Sequence, residues 1–513
     1  MKAIASALLL ALLAPTASAD FITGRVVDQN GVGVGGVDID VKNVVTGETP
    51  TIFNDGTDPD GFFTTTLPAG LYEVTFTPPP PPVTTHLVLD IEPVAVVGTT
   101  AMGVIALPAG VSLSGHIENT AGLPVAGVNL DVIDETTGEK LETPQDTTDP
   151  FGNFEIAVPA GPIEFRVNAR PVIGQTLVST AIELTPGGNT VLPDITLENG
   201  FVVQGIVRDS GGGPVENTDL DVYAVATGAK LYTPGDNTSA TGAFNVIVGA
   251  GLWDVQFCPD PEDLLVAEEI KDLAVSSATN LGVVSLQDGE VLQGTVRDSG
   301  GAIVVGADVD VSLSSTGASV VLCGDNTNSS GQYSVVVPAG TLDVHFRPPN
   351  FFMGLGSQRV TGVGVAGTTT RNGVLPACAP ASNYGAGLAG KNGVVPRITT
   401  GGGVPSEGNS GWSIEMEDGL GGALAILVLS RQQVSVSGLG GTILVNISAA
   451  VSFDFVLTLD GPAGVAGAGS ASFPVPSLVG FAGFTGYAQF AVRDPAAPKG
   501  WALSEGLAIT FCP

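Results

Sequence analysis

The chain contains four units of about ninety residues that carry the same residue types at the same offsets. Each unit is counted from a glycine, and these glycines lie 91, 90 and 89 residues apart: Gly24, Gly115, Gly205 and Gly294. An Asp follows at offset 16 and a second Gly at offset 46 in every unit. Fixed spacing over such a span predicts one supersecondary plan built four times. An array of this kind favours reach and several weak contacts over a single catalytic centre.

The N-terminus has the pattern of a secretory signal. Lys2 precedes the apolar residues 4–14, and Pro15 precedes the small-residue triplet 17–19, which predicts cleavage before Asp20. A membrane anchor is disfavoured because spanning a bilayer takes about 20 apolar residues and this run is shorter. We therefore expect an exported chain, secreted or held at the cell surface, with no membrane insertion of the mature protein.

The charge of the chain is strongly negative and unevenly placed. There are 18 Lys and Arg against 51 Asp and Glu, a formal net charge of −33. Residues 20–378 hold 43 acids and 12 bases, whereas residues 379–513 hold 8 and 5. Such a surface repels phosphate backbones, which argues against nucleic acid as a partner and favours cations or cationic surfaces. Solubility of an exported protein is the alternative explanation for the same charge.

The four cysteines are an even number in an exported chain, where disulfides persist. Cys378 and Cys512 bracket the final segment and form the preferred pair, which leaves Cys258 with Cys323 across two neighbouring units. Other connectivities stay open, because the sequence does not fix the pairing. The cysteines lack the short paired spacings of zinc sites, which argues against a metal centre built from them.

Alternating apolar residues predict strands throughout the four units. In the first unit, Val37, Ile39 and Val41 share one face of a strand, and Asp38 and Asp40 share the other. Thr-Gly pairs and Pro-Ala-Gly turns separate the predicted strands. Each unit therefore has the composition and the pattern of a small β-sheet domain with one face towards a core.

The predicted fold class is all-β, a tandem array of four antiparallel β-sandwich domains followed by a C-terminal domain of β-sandwich or jelly-roll-like type. Each sandwich is expected to have about seven strands. A helical period is visible only around residues 263–273. The predicted boundaries are 1–19 for the signal peptide, 20–109, 110–200, 201–289 and 290–378 for repeats 1 to 4, and 379–513 for the Gly-rich C-terminal domain. Short linkers predict a semi-rigid, elongated array.

Several short motifs recur in order within the repeats. The first copy reads Gly24-Arg25-Val26-Val27-Asp28, Thr46-Gly47, Asp60-Gly61-Phe62 and Leu67-Pro68-Ala69-Gly70. In this order they resemble the carboxypeptidase regulatory-like domain, a transthyretin-like sandwich, over residues 20–378. The resemblance implies an accessory sandwich and not the zinc peptidase domain that lends the family its name. Through structurally related starch-binding-like modules it also implies carbohydrate binding. The C-terminal segment is similar to modules appended to secreted bacterial surface proteins.

The strongest local signal for a binding site is acidic. Asp is depleted in strands, yet the second strand of each repeat carries Asp on its outward face, and a loop Asp recurs at offset 31. Two carboxylates on one strand face lie about 7 Å apart, and calcium takes roughly 6 to 8 oxygen ligands, so each repeat is a candidate calcium site. The candidate ligands are Asp38, Asp40 and Asp55; Asp131 and Asp146; Asp219, Asp221 and Asp236; and Asp308, Asp310 and Asp325. The alternative is that these side chains cap turns and keep an exposed sheet face hydrated.

Residues suited to catalysis are scarce. His86, His116 and His345 lie in different repeats, and His345 falls on the outward face of a predicted strand, which is typical of an isolated surface histidine. The sequence contains no nucleophile elbow and no His-Glu-x-x-His motif. Exposed flat rings that could hold a sugar are also few: Phe53, Tyr232, Phe351 and Phe352.

These patterns predict a non-enzymatic extracellular protein, a structural stalk or an adhesion scaffold. Its expected partners are extracellular glycans or protein surfaces, and many weak sites on one array would raise avidity. A carbohydrate-binding protein of the starch-binding-like type is the first alternative, and an accessory part of a secreted hydrolase system is the second. Calcium is the one cofactor that the sequence predicts.

Overall fold

The computed structural model describes residues 20–170, 172–448, 450–475 and 481–512, and for Phe352 the backbone only. The predicted signal peptide, residues 1–19, lies outside the described residues. The described chain is nearly all β, and its helical elements are short 3-10 turns: Pro261–Asp263, Phe351–Met353, Lys391–Gly393 and Pro498–Gly500. None of the described helices has the length and apolarity needed to cross a bilayer. The helical period around residues 263–273 is wrong, because a strand begins there at Glu268.

The four repeats use strands of similar length in the same order. Repeat 1 contains β1 (Asp20–Val27), β2 (Asp38–Asn43), β3 (Phe62–Leu67), β4 (Gly70–Thr77), β5 (Leu89–Val96) and β6 (Thr99–Ala106). Repeat 2 contains β7 (Val111–Asn119), β8 (Asn129–Asp134), β9 (Glu139–Leu141), β10 (Asn153–Val158), β11 (Ile163–Asn168), β12 (Thr180–Leu184), β13 (Thr190–Val191) and β14 (Ile195–Leu197). Repeat 3 contains β15 (Phe201–Arg208), β16 (Asp219–Ala224), β17 (Lys230–Leu231), β18 (Ala243–Val248), β19 (Gly251–Cys258), β20 (Glu268–Val275) and β21 (Thr279–Ser285). Repeat 4 contains β22 (Glu290–Asp298), β23 (Asp308–Leu313), β24 (Ser319–Val320), β25 (Gln332–Val337), β26 (Gly340–Arg347), β27 (Gln358–Val365), β28 (Thr369–Thr370) and β29 (Gly373–Leu375).

Each repeat folds into two sheets, and its first strand is central in one of them. In repeat 1 the strand orders are β3-β1-β6 and β2-β4-β5, and in repeat 3 they are β18-β15-β21 and β17-β16-β19-β20. The first strand pairs antiparallel with the strand before the Pro-Ala-Gly turn, which is Gly-Ala-Gly in repeat 3, and parallel with the last strands of the repeat. The same parallel pairing joins β7 to β13 and β14, and β22 to β28 and β29. The predicted all-β fold class is confirmed, and the parallel pairing is an addition that alternation of apolar residues does not reveal.

An aromatic pair lies in the core of every repeat, and the repeated glycine makes room for it. The ring centroids lie 5.4 to 5.7 Å apart in the pairs Phe63–Phe76, Phe154–Phe165, Phe244–Phe257 and Tyr333–Phe346. A Cβ at Gly24 would lie 2.8 Å from Phe63 Cε1, and one at Gly205 would lie 2.8 Å from Phe244 Cζ. The first ring of each pair therefore requires glycine at the start of its unit, because any side chain there would displace the ring. Each repeat has its own cluster of buried apolar side chains around the pair.

The residues after Cys378 form a further sandwich with a separate core. Its strands are β30 (Ser382–Tyr384), β31 (Arg397–Gly401), β32 (Ser413–Leu420), β33 (Leu424–Ser430), β34 (Gln433–Gly438), β35 (Gly441–Val445), β36 (Ser452–Thr458), β37 (Ala466–Pro474), β38 (Thr485–Arg493), β39 (Trp501–Leu503) and β40 (Gly506–Thr510). One sheet has the order β30-β40-β38-β33-β36, with β39 beside β38, and the other has the order β31-β32-β37. Trp412 and Phe490 are the largest fully buried side chains of this core.

Neighbouring units are joined by short linkers of one repeated design. At each junction a linker N–H donates to a carbonyl of the preceding repeat: Gly110 to Thr85 at 2.9 Å, Gly200 to Thr176 at 2.8 Å, Gly289 to Leu264 at 2.6 Å, and Cys378 to Gly354 at 2.7 Å. A Cβ at Gly110 would lie 2.6 Å from Thr85 O and 2.8 Å from Val158 O, so both repeats enclose this glycine. Gly200 is enclosed in the same way by Val178 and Ile247. Gly289 is enclosed by Val266 and Val336.

Two disulfides tie the chain across unit boundaries. Cys258 of repeat 3 is bonded to Cys323 of repeat 4, and Cys378 at the end of repeat 4 is bonded to Cys512 at the end of the C-terminal domain. These are the two pairs preferred from the sequence. Between repeats 2 and 3, the Arg170 guanidinium donates to Pro234 O at 2.6 Å and to Asn245 Oδ1 at 2.7 Å. The junctions therefore combine covalent, hydrogen-bonded and close-packed contacts.

Candidate functional site

The predicted acidic residues of each repeat lie together at the second strand. In repeat 1 the offset-31 loop runs beside β2, where Asp38 pairs with Gly56 in an isolated bridge. Burial, followed by the charges of Asp40 and Asp55, raises the pKa of Asp38. In repeat 3, burial and then the charges of Asp236 and Asp221 raise the pKa of Asp219. The loop Asp and the strand Asp therefore share one electrostatic environment, as the fixed offsets predict.

Among these acidic residues, the pKa is raised most at the loop Asp of repeat 4. Burial, followed by the charge of Asp308, raises the pKa of Asp325 to about 6. Burial and the charge of Asp308 also raise the pKa of Asp310, and burial and the charge of Asp131 raise that of Asp146 in repeat 2. Each of these carboxylates is costly to ionise in the folded protein, which is the condition that a bound cation would relieve.

A cation from the protein itself already pairs with the strand carboxylates of repeats 2, 3 and 4. Lys140 Nζ lies 2.7 Å from Asp131 Oδ1. Lys230 forms the equivalent ion pair with Asp221. In repeat 4, the Arg347 guanidinium lies 2.5 Å from Asp310 Oδ2 and 3.6 Å from Asp308 Oδ2.

Repeat 1 differs, because among the described residues no ion pair reaches Asp38, Asp40 or Asp55, and Lys42 pairs with Glu73 instead. Within the same described ranges, the carboxylates of these acidic groups do not converge on one point, since the one set of three ligand atoms within 4.8 Å is elsewhere. Calcium therefore stays a prediction, and repeat 1 offers it the site with the least competition from the protein's own cations.

The threonine that follows the loop Asp by two positions is a structural latch. Its hydroxyl accepts a hydrogen bond from the backbone N–H of the residue just before the second strand. The same hydroxyl donates to the carbonyl of the residue three positions before that N–H. In repeat 1, Thr57 Oγ1 accepts from Val37 N at 2.9 Å and donates to Val34 O at 2.8 Å. The same buried pair of bonds is made by Thr148, Thr238 and Thr327. The latch holds the loop against the sheet and so fixes the position of the loop Asp.

The next Asp along the chain caps a turn, as the alternative interpretation of the acidic residues expects. Asp58 Oδ1 accepts from Asp60 N at 3.0 Å and from Phe62 N at 2.9 Å. Asp149 Oδ1 accepts from Phe151 N and Asn153 N, both at 2.8 Å. Backbone hydrogen bonding, chiefly from Asn153, lowers the pKa of Asp149. Acidic residues in these repeats therefore have two separate roles, turn capping here and clustering at the second strand.

A polar groove of about 620 Å³ lies where repeats 2 and 3 meet, and Tyr232 lines it. Arg166 of repeat 2 lies over this ring, with Cζ 5.2 Å from the centroid. Burial, followed by the Asp131 charge, raises the pKa of Tyr232 to about 12. The other polar side chains that line the groove are Asp131, Glu164, Asn168, Thr180, Asp219, Asp221, Lys230, Thr233 and Asp236. The groove thus places one aromatic ring among many hydrogen-bonding groups.

The other predicted sugar-binding rings do not gather at a site. Phe53 is 75% exposed on repeat 1 and stands away from the groove at Tyr232. Phe351 is half-buried and packs against the cluster of Cys378, Val404 and Cys512. The side chain of Phe352 lies outside the described residues.

The expectation of an isolated surface histidine is wrong for His345. This side chain is only 6% exposed, because Arg347 and Arg359 flank it and the C-terminal domain packs at this position through Glu407, which pairs with Arg359 at 3.4 Å. Burial, followed by the charges of Arg359 and Arg347, lowers the pKa of His345 to about 4. The ring therefore stays neutral, and it belongs to the junction between repeat 4 and the C-terminal domain.

Sequence reasoning missed a small cluster on repeat 2. One ligand atom each from His116, Glu118 and Asp194 lies within 4.8 Å of the other two. His116 and Glu118 share a face of β7, and the parallel pairing of β7 with β14 brings Asp194 to them from 78 residues away. The alternating His and Glu were visible in the sequence, but the third member depends on the parallel pairing. Thr196 already donates to Glu118 at 3.3 Å; His116 and Glu118 are half-buried, and Asp194 is exposed.

Comparison with known proteins yields no family. No family model matches the sequence, and no curated protein does. The Bacillus anthracis TIE protein is 15% identical over 71% of this chain and 75% of that chain, with a TM-score of 0.16. A Streptococcal ancillary pilin and the major pilin subunit of Bacillus cereus are each 10% identical over 53% of this chain, cover 99% and 100% of their own lengths, and have TM-scores of 0.16 and 0.15. Scores this low carry no argument, so the resemblance to the carboxypeptidase regulatory-like domain stays a prediction.

Proposed function

We propose that this chain is an extracellular, non-enzymatic stalk that presents weak contact sites to glycan or protein surfaces. The observation that supports the proposal most directly is the repeated junction, in which both neighbouring repeats enclose a linker glycine. Independent cores joined by like junctions keep a similar orientation from unit to unit. A stalk needs this property, because reach is lost when the units fold back on one another.

The junctions also explain why the linkers are so short. Each junction uses a backbone hydrogen bond of 2.6 to 2.9 Å between linker and preceding repeat, so the linker is part of the packed structure rather than a flexible tether. The bond between Cys258 and Cys323 adds a covalent tie at the boundary of repeats 3 and 4. Such ties resist bending and local opening outside the cell, where disulfides persist.

Small-angle X-ray scattering of residues 20–513 tests the stalk directly. A single compact body of this length would have a radius of gyration of about 23 Å, and we expect a clearly larger value with a rod-like distance distribution. Replacing Gly110, Gly200 and Gly289 together by Val should increase flexibility, because each Cβ would meet atoms of both neighbours. Gly187→Val is the matched control, since a Cβ there meets nothing within 4 Å.

Two results would contradict the stalk. One is a wild-type radius of gyration near the compact value. The other is a triple variant with native circular dichroism whose scattering matches that of the wild-type protein. An activity screen of the pure protein on polysaccharides and peptides tests the non-enzymatic part, and turnover there would favour the hydrolase alternative.

Carbohydrate binding is the second candidate function, and the groove at Tyr232 favours it. An aromatic ring among carboxylate, amide and hydroxyl groups can stack on a sugar and hydrogen-bond its hydroxyls. A glycan array followed by calorimetry on the best hit would test this idea with Tyr232→Ala. Phe53→Ala is the control, because that exposed ring lies outside the groove. Equal loss in both variants, or no loss in Tyr232→Ala, would exclude the groove as the sugar site.

A further inference from the structure

The C-terminal domain contains an apolar pocket between strands of its two sheets. Its volume is about 480 Å³, within the size range of small-molecule sites. Its aromatic lining is Trp412, Phe453, Phe481, Phe484, Tyr487 and Phe511. Phe453 is 70% exposed, Phe481 50% and Phe484 48%, so the rings at the rim face solvent. A contiguous exposed aromatic surface beside a pocket is typical of a site that a ligand covers.

The unpaired polar groups of this pocket include two hydrogen-bond donors. The Arg431 guanidinium lies over the Phe484 ring, with Cζ 5.3 Å from the centroid. Within the described residues this guanidinium has no hydrogen bond and no ion pair, whereas Arg397 of the same domain pairs with Glu417 at 3.5 Å. Trp412 is fully buried in the pocket wall, and its Nε1 has no acceptor in the described chain. A cation without a partner is notable in a protein with 51 acids and 18 bases.

We propose that this pocket binds one single-chain fatty carboxylate. The alkyl chain lies against the aromatic wall, and the carboxylate pairs with Arg431 at the mouth. A guanidinium offers parallel donors that match the two oxygens of a carboxylate. A pocket of about 480 Å³ suits a small molecule rather than an extended bilayer surface, so the ligand is a free fatty acid. The low charge of the domain, 8 acids and 5 bases in residues 379–513, lets an anion approach despite the acidic repeats.

Calorimetry on the mature, delipidated chain tests the charge preference. Dodecanoate and dodecyltrimethylammonium, both below their micellar concentrations, present the same chain with opposite heads. The strongly negative net charge of the chain would favour the cation, so tighter binding of dodecanoate with one site per chain would report the local cation. Arg431→Gln should weaken dodecanoate binding about tenfold. Arg493→Gln is the control, because Arg493 lies over Trp501 in the same domain outside the pocket.

A variant that fills the pocket and the fluorescence of a tryptophan in the pocket wall test binding without relying on a change in stability. A Cβ at Gly486 would lie 3.4 Å from Phe511 Cε2, an ordinary van der Waals contact, so a side chain can start at this position of the pocket lining. We expect Gly486→Leu to fill the pocket and abolish binding with circular dichroism unchanged. In a Trp253→Phe, Trp501→Phe background, dodecanoate should change the fluorescence of Trp412, the tryptophan that remains.

Three results would overturn the proposal. They are absence of dodecanoate binding, equal or tighter binding of the cationic amphiphile, and unchanged affinity in Arg431→Gln. Sedimentation provides a fourth, because a dimer that Gly486→Leu dissociates would assign the pocket to a second copy of the chain.

Discussion

Replacing Asp325 by Asn in repeat 4 should stabilise the protein at neutral pH. Burial and the neighbouring Asp308 raise the pKa of Asp325 from 3.8 to about 6. A shift of about 2 units corresponds to roughly 3 kcal/mol of unfavourable ionisation. Since the side chain is only half-buried, solvent screening reduces this figure to about 1–2 kcal/mol. The neutral amide removes the cost and keeps an oxygen acceptor in place.

The sign of the pH dependence follows from the raised pKa. The folded protein holds this proton more tightly than the unfolded chain, so the contribution of Asp325 to stability is greatest below pH 3.8 and is lost as pH rises through about 6. Asp325→Asn does not lose this stability as pH rises, because the amide does not ionise. The two proteins should therefore have the same unfolding free energy near pH 3.8 and differ most above pH 7. For a domain of this size, the expected gain is about 5–10 °C in the midpoint of the repeat 4 transition.

Differential scanning calorimetry of the mature chain at pH 4 and pH 7.5 provides the measurement. Asp343→Asn in the same repeat is the control with opposite sign, because hydrogen bonds from Ser314 and Gly362 lower the pKa of Asp343. A midpoint at pH 7.5 that is unchanged or lower in Asp325→Asn would refute the reasoning. If the variant loses stability only when calcium is present, the acidic group of repeat 4 binds a cation after all.

Further tests address the disulfide between repeats 3 and 4, the threonine latch and calcium binding at repeat 1. Replacing Cys258 and Cys323 by Ser opens a 65-residue loop and should cost up to about 4 kcal/mol, seen as lower midpoints for repeats 3 and 4; an unchanged melt would show that the bond is dispensable. Thr238→Val leaves the buried Thr218 N–H unpaired and should cost about 1–3 kcal/mol by denaturant titration, against Thr238→Ser as control. Chelation should lower the repeat 1 midpoint in wild-type protein and not in Asp38→Asn, and equal melts would exclude calcium there.

The strands and cores were predictable because two local signals agree. Apolar residues such as Val37 and Ile39 alternate with outward Asp, and both are fully buried. Glycine recurs at the start of each unit because a ring such as Phe63 leaves no room for a side chain. The parallel pairing was not predictable, since it joins the two ends of a repeat, and strands as short as Thr190–Val191 carry too little pattern to be assigned.

The acidic clusters were predictable from the alternation of inward and outward residues along the second strand and from the fixed offset of the loop Asp. The basic residues that pair with them were not. Lys140 and Lys230 stand at one common offset from their unit glycines, a signal present in the sequence that points to Asp131 and Asp221 only once the sheet order is known. Arg347 reaches its partners because β26 pairs with β23 in register. The apolar pocket of the C-terminal domain depends on which rings the packing leaves uncovered, which apolar content alone does not determine.

In the stalk proposed above, stiffness would come from the junctions rather than from the charge. The repeats hold 43 acids against 12 bases, so neighbouring units repel one another and compact arrangements are disfavoured. Repulsion of this kind is screened beyond about 8 Å at physiological salt and has no preferred direction, so it can separate two sandwiches but cannot orient them. The bond from Gly200 N to Thr176 O is directional, and the space around that glycine is filled by both repeats. A change at a linker glycine should therefore alter the shape of the protein more than a change in salt concentration does.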